Sequence, residues 1–403
     1  MRMIQWETAV VTETVEEPLS SHGLQEVRVR LGNGETAAAL HDLAVGTSLR
    51  QGDKVLLNTT AVRLGLGTGG VHFVHARLGR SDESVDSPEV PVGTILREPE
   101  TQDRKRPTGL QEGHIMKLRY TSLQRAVRSV EEPSSPHHAL FAESRTLSGM
   151  PVLIGELHSM LPAAVCWLRE LAREAGAPVP RIAYVMTDGG ALPLAVSGHV
   201  RRLRELGWLA GTVTYGHAYG GDVEAVNKYT ALLAARHVLE ADLAVVCMGP
   251  GIVGTGTPYG FSGIEAGELV GAAHALGGVP VAIARISFAD PRPQHRGLSR
   301  HTAVALGQAA LAPACVSLPL LPAEAEAALL REQVRQSGLA RRHRLLWEEP
   351  PPLEQMAAAL EAYGQPITSM GRAWQDDPAF FAAICMAAGA AYRLLRNEGP
   401  DKP

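Results

Sequence analysis

Cysteine is too sparse here to build with. Cys166, Cys247, Cys315 and Cys385 stand far apart and no Cys-x-x-Cys occurs, which excludes a zinc knuckle and a thioredoxin-like redox pair. Each lies in an apolar stretch, where a reduced, buried and inert thiol is expected, and this usage fits a reducing, cytoplasmic compartment. Charge of one sign is lacking too. Thirty-eight basic residues against 42 acidic ones leave a net charge of −4, without the basic excess of a nucleic-acid or anionic-membrane binder. Long hydrophobic runs are absent. The longest, Ala379 to Tyr392, has 14 residues, short of the roughly 18 needed to span a bilayer, and reads as a buried helix. The first residues, Met1 to Glu7, bring an acid before any apolar run and do not read as a signal peptide. No His-Glu-x-x-His, dense acidic loop or Gly-x-Ser-x-Gly elbow appears, so no metal or cofactor can be assigned and no serine hydrolase is indicated.

What is present falls into two rhythms. The 403 residues, 45% apolar, allow two or three domains at ~150 residues each and a large core. Residues 1–80 read as a small all-β domain, a barrel or sandwich. Val27 to Leu31 alternates apolar and polar residues, Gly32-Asn33-Gly34-Glu35 is a hairpin turn, and Ala37 to Leu40, Lys54 to Leu57 and Val71 to Ala76 supply further strands. Residues 81–113, rich in Pro, Ser and charge and containing Arg104-Lys105-Arg106-Pro107, read as a linker or excursion. Residues 114–403 then alternate continuous apolar strands (182–187, 209–215, 243–248, 279–286) with helices (161–175, 194–206, 223–239, 262–276, 299–311) and end in a helical tail. That rhythm predicts βαβ units and a doubly wound, mostly parallel sheet with helices on both faces.

In such a sheet ligands bind beyond the strand tips, where loops are free of packing duty and helix N-termini direct N–H groups outward. The loop after strand 243–248 carries Gly249, Gly251 and Gly254 in a G-x-G-x-x-G pattern. Gly256 and Pro258 delay the following helix, the next strand ends in Arg285 instead of an acid, and no Gly-Lys-Ser/Thr follows. A standard dinucleotide site and a Walker A loop are therefore disfavoured. The same bare pattern at Gly65 to Gly70, between β segments, is better explained as a hairpin. In the 249–263 loop the glycines permit close backbone approach to an anion, Thr255 and Ser262 offer hydroxyls, and Glu265 stands in the first helical turn. After strand 279–286, four Arg, two His and one Asp within 17 residues suit the clamping of phosphate or carboxylate. Arg285, Arg292 and Arg296 would balance charge there, Asp290 would orient a histidine, and Ser299 reads as an N-cap. Asp188 in Thr187-Asp188-Gly189-Gly190, His217 after strand 209–215, and the pair Glu156 and His158 are further strand-tip candidates, each explained equally by turns and caps.

Four motifs, Gly113 to Thr121 (GHIMKLRYT), Thr187 to Pro193 (TDGGALP), Gly249 to Thr257 (GPGIVGTGT) and His295 to Thr302 (HRGLSRHT), together resemble an uncharacterised bacterial family catalogued only as a domain of unknown function. The resemblance extends over nearly the whole chain. It implies a bacterial cytosolic setting and no activity, substrate or catalytic residue.

The leading functional expectation is an enzyme acting on a small anionic, phosphorylated or nucleotide-like molecule. Gly249, Gly251, Gly254 and Gly256 would cradle the anion, and His295, His217 or Asp188 would move protons. Such an enzyme should gather Asp188, His217 and His295 in one pocket about 10 Å wide. The rival is a non-catalytic ligand-binding or assembly protein, with self-association left open. A third reading gives the β domain a nucleic-acid contact, against which the charge balance speaks. No membrane partner is expected.

Overall fold

The computed structural model describes residues 6–15, 23–63, 70–80, 115–118, 125–143 and 145–396. The chain divides into two compact units, Met1–Gln111 and Glu112–Pro403. The excursion expected at 81–113 with its basic run, glycines 65, 67 and 69, and residues 119–121 lie outside the described residues.

In the first unit, β1 (Trp6–Thr14), β2 (Leu24–Leu31), β3 (Thr36–Asp42), β4 (Asp53–Asn58) and β5 (His72–Arg80) close into a barrel of order β1-β2-β3-β5-β4, with β4 returning to β1. β3 and β5 run parallel and the other pairs antiparallel. Period-two alternation builds it: Val27 and Val29 are buried while Arg28 and Arg30 beside them are exposed. β1 escapes a sequence reading because only Ala9 and Val11 of its nine residues are buried, and a bulge follows Val11.

The second unit opens with a two-stranded ribbon, β6 (Ile115–Lys117) and β7 (Arg125–Val127). Its centre is an eight-stranded, wholly parallel sheet. The strands are β8 (Pro151–Ile154), β9 (Ile182–Met186), β10 (Gly211–Tyr215), β11 (Val223–Ala225), β12 (Leu243–Cys247), β13 (Val279–Ala282), β16 (Cys315–Pro319) and β17 (Arg344–Glu348). Their order is β11-β10-β9-β12-β8-β13-β16-β17, and a short antiparallel pair, β14 (Ile286–Ser287) and β15 (Gly297–Leu298), intervenes in the chain after β13. Alternate residues of each strand feed opposite layers. Leu153, Tyr184, Val245 and Val281 join one core with helices Met160–Glu174, Leu353–Glu361 and Pro378–Leu395. Ile154, Val185, Val246 and Ala282 join the other with helices Lys228–His237, Glu265–Ala275, Arg300–Val304 and Glu324–Ser337. This is why the strands read as continuous apolar runs. The fold is α/β, with a small N-terminal β domain.

Several boundaries differ from the sequence reading. The helix expected from Val223 starts at Lys228, because Val223–Ala225 pairs with β10 as an edge strand and Asn227 supplies the cap. Asp222, just before that strand, accepts the Thr212 N–H and hydroxyl at 2.9 and 2.8 Å. Ser197 breaks the 194–206 helix and caps its second part by accepting the Val200 N–H. Lys117 lies in the two-stranded ribbon. The terminal helix has 18 residues, enough by length and composition to cross a membrane, yet Phe380 to Tyr392 are all buried and the helix packs on Met160–Glu174 and β16.

Candidate functional site

Opposed connections open this sheet twice. The chain leaves β9 towards the β11 edge across one face and leaves β12 in the other direction across the opposite face. β8 and β13, also divided in this way, form the second opening. Loops beyond such switch points are free to line a crevice.

At the β8/β13 opening the chain concentrates charge. Arg285, 2% exposed, places Nη1 3.4 Å from Glu156 Oε1 and Nη2 3.2 Å from Asp290 Oδ2. Asp290 also accepts from the N, Nε and Nη2 of Arg292 at 3.1, 2.9 and 2.7 Å, and from Arg372 Nη2 at 3.2 Å. Arg372 Nε donates to Asp377 Oδ2 at 3.1 Å, which accepts the Ser287 hydroxyl at 2.6 Å. Three carboxylates here balance three guanidiniums. Burial works to raise the Asp290 carboxyl, but the Arg292 hydrogen bonds and the arginine charges hold it well below the usual carboxylate range. At Glu156 burial prevails over the pull of Arg285 and the carboxyl is raised.

Beside this network lies a cleft of about 270 Å³. Arg285, Arg292, Gln294, His295, Arg300 and His301 line it, facing Ile252, Gly254 and Gly256 of the glycine-rich loop and Met370. Arg300 has no acidic partner among the described residues; its Nη2 donates to the Gly256 carbonyl at 2.6 Å, and its Nε is buried without a hydrogen-bond partner. His301, 7% exposed, has the same defect at Nδ1. Its ring stacks on Phe261 at 3.9 Å, tilted by 2°, and meets His295 edge-on at 4.6 Å. His295 Nδ1 bonds Ser299 Oγ at 2.8 Å, and Ser299 caps the next helix as expected. Burial, reinforced by the charge of Arg285, pushes His295 down to about 3 and His301 to about 4, so both rings are neutral near pH 7. A buried, unsatisfied guanidinium N–H beside a cavity with one surplus cation can take an oxyanion.

The β9/β12 opening is built differently. Thr187 Oγ1 donates to Glu265, and a Cβ on Gly189 would lie 3.0 Å from Glu265 Oε1. Burial pushes Glu265 up to about 7, against the Thr187 hydrogen bond and the charge of Lys228. Asp188 Oδ1 accepts the backbone N–H of His217 at 2.6 Å and of Ala218 at 3.0 Å. It thereby clasps the turn at Gly216, where φ is +63° and a Cβ would overlap the Asp188 carboxylate. His217 Nδ1 accepts the Leu118 N–H at 2.9 Å. Lys117, almost wholly buried, donates to Glu224 and to the Ala218 carbonyl, so the ribbon pins this loop.

The candidates are thus divided. Gly254, Gly256, Arg285, Arg292 and His295 meet at the cleft, with Asp290 holding the arginines behind it. Asp188, His217 and Glu265 stand at the other opening, so the proton-handling trio does not share this cleft. Gly249 packs against Met186 and Leu192, and Gly251, at φ +103°, is open on its Cβ side. Thr255 and Ser262 spend their hydroxyls within the loop, Thr255 donating to the Gly260 carbonyl and Ser262 accepting the Val253 N–H, each at 3.0 Å. Arg296 is exposed and outside the cleft lining. Glu156 and His158 part company: His158 bonds the Met248 carbonyl at 3.1 Å and Ser197 Oγ at 2.6 Å, and burial lowers it to about 3. Arg300 and His301 belong to the basic cluster of the sequence but carried no assigned role there; the Ser299 cap, which puts them in the first helical turn, was the usable signal. Arg372 and Asp377 gave no signal, since Arg372 reaches Asp290 across 82 positions. Among the described residues no three of His, Cys, Asp and Glu converge to hold a metal ion.

A family model described as a protein of unknown function, DUF3866, matches residues 38–389. No curated protein and no solved structure matches the chain.

Proposed function

The chain belongs to the DUF3866 family, whose description assigns no activity, and we propose from the geometry that its second unit binds a small anionic molecule in the β8/β13 cleft. The observation that carries this reading is a cleft lined by Arg300 and His301, each with a buried, unpartnered ring or guanidinium nitrogen, that also has one more arginine than nearby carboxylates can neutralise. Leaving such groups unsatisfied costs roughly 1–3 kcal/mol each; a phosphate or carboxylate oxygen would pair the Arg300 guanidinium, and would pair His301 in the tautomer that carries a proton on Nδ1. Gly256 supports the same reading: at φ +75° with nothing within 4 Å of its Cβ position, it leaves room beside Arg300. The volume of about 270 Å³ lies just below the usual range of ligand pockets, roughly 300–1,000 Å³. It suits a phosphate ester or carboxylate of sugar-phosphate size and is too small for a dinucleotide.

The division of Asp188, His217 and His295 between two openings favours binding over catalysis by that trio. His295 and His301 are the proton acceptors that a ligand in the cleft would meet. Thermal shift and calorimetric titration with inorganic phosphate, sugar phosphates and dicarboxylates at low salt test the reading. At least one should stabilise the protein, and Arg300→Met should weaken it by roughly 10- to 100-fold, the worth of a charge-assisted hydrogen bond. Equal response of wild type and Arg300→Met to every anion would sink the proposal.

A further inference from the structure

The two edges of the parallel sheet are treated differently by the chain. At β11 the edge is covered: Ser129 bridges to Glu224, and Val130 N–H donates to the Glu224 carbonyl at 2.8 Å. At β17 no described segment pairs on the outer side, and all five residues, Arg344-Leu345-Leu346-Trp347-Glu348, are only half-buried. An open edge of this kind is a template for another strand.

The hydrogen bonding fixes what the edge offers. Arg344 N–H donates to the Ala314 carbonyl and the Glu348 carbonyl accepts from Leu320 N–H, so residues 344, 346 and 348 turn their backbone groups towards β16. By alternation, Leu345 and Trp347 point theirs outward. The five residues are self-complementary about Leu346. In an antiparallel pair of two copies centred there, Leu345 and Trp347 of one copy form hydrogen-bonded pairs with Trp347 and Leu345 of the other, engaging all four outward N–H and C=O sets. Arg344 then faces Glu348 of the second copy, in non-hydrogen-bonded pairs where side chains approach most closely. Glu348 already pairs with Arg393 in its own chain, so the contact would extend a charge network. Glu349 and then Pro350, Pro351 and Pro352 follow the strand. Lacking N–H groups, the prolines end any ladder at Glu349 and so limit how far the register can slip in that direction.

We infer that the protein forms a twofold dimer through β17, joining two eight-stranded sheets edge to edge. The partner is a second copy of this chain, because an isologous contact requires a self-complementary patch.

Sedimentation velocity on the full chain at tens of micromolar tests it, with circular dichroism as a check on folding. The wild type should sediment as a dimer. Leu345→Pro removes an outward N–H without touching the ladder to β16 and should give a folded monomer. Arg344→Glu places like charges opposite each other twice and should weaken association by roughly tenfold, and Arg344→Glu combined with Glu348→Arg should restore it. A monomeric wild type overturns the inference, as does a dimer that neither the proline nor the charge reversal weakens.

Discussion

Replacing Asp290 with Asn tests how the cleft is held together. The carboxylate accepts five hydrogen bonds from three arginines, and the amide keeps its shape while losing its charge and half of its acceptors. Arg292 is largely solvated, its side chain 43% exposed, so its share of the loss is small. Arg285 is not: at 2% exposure it is left with Glu156 alone, at 3.4 Å. Breaking a buried pair in this way costs about 3–5 kcal/mol, which for a unit of this size lowers the melting temperature by roughly 6–20 °C. The folded carboxyl is depressed, so its contribution is complete above the unfolded value, about 3.9, and is lost as pH falls below it. The difference between variant and wild type should therefore hold at pH 7 and narrow in acid. Calorimetric melts in phosphate-free buffer measure it. Added phosphate should raise the variant more than the wild type, because its cleft carries one more uncompensated positive charge. An unchanged melting temperature at pH 7 would refute the view that Asp290 is the hub of the network.

Other expectations follow from the same electrostatics. Glu265, raised by burial from 4.5 to about 7, favours the folded state most at low pH, and that stability drains away as pH rises through about 7. Glu265→Gln should match wild type below pH ~4.5 and exceed it above pH 7 by up to roughly 3 kcal/mol; chemical denaturation across that range decides. Anion binding should take up protons, since a bound negative charge raises the depressed His295 and His301. Affinity should therefore grow as pH falls, and titrations in buffers of differing ionisation enthalpy would show no proton uptake if the histidines lie away from the anion. Lys117→Met leaves Glu224 buried beside only Thr214 and Gly220 and should cost about 3–5 kcal/mol. Faster amide exchange at Gly220 and Ala218 should accompany it; exchange spread evenly over the unit would contradict a local pin.

How far the sequence could be read depended on the kind of order involved. Ile182–Met186 and Leu243–Cys247 announce themselves because both faces of a parallel strand are buried, so every residue is apolar. Ser299 shows as a cap because capping is a matter of a few adjacent residues. Val223–Ala225 was lost inside a helix because three residues carry too little period to compete with the helical pattern after them. For the cleft, the basic cluster and the glycines were visible as local composition, and their nearness to one another follows from β12 and β13 flanking β8.

Local pattern alone determined the α/β class, the all-β start and the places where strands end, since side-chain period and turn chemistry act over a few residues. Tertiary structure decided which strand tips face the same opening. It joined Arg372 and Asp377 to Asp290, turned Asp188 and His217 into loop clasps, and left Arg300 and His301 each with an unpartnered nitrogen, because strand order and the crossing of connections are set by how layers pack and not by any single segment.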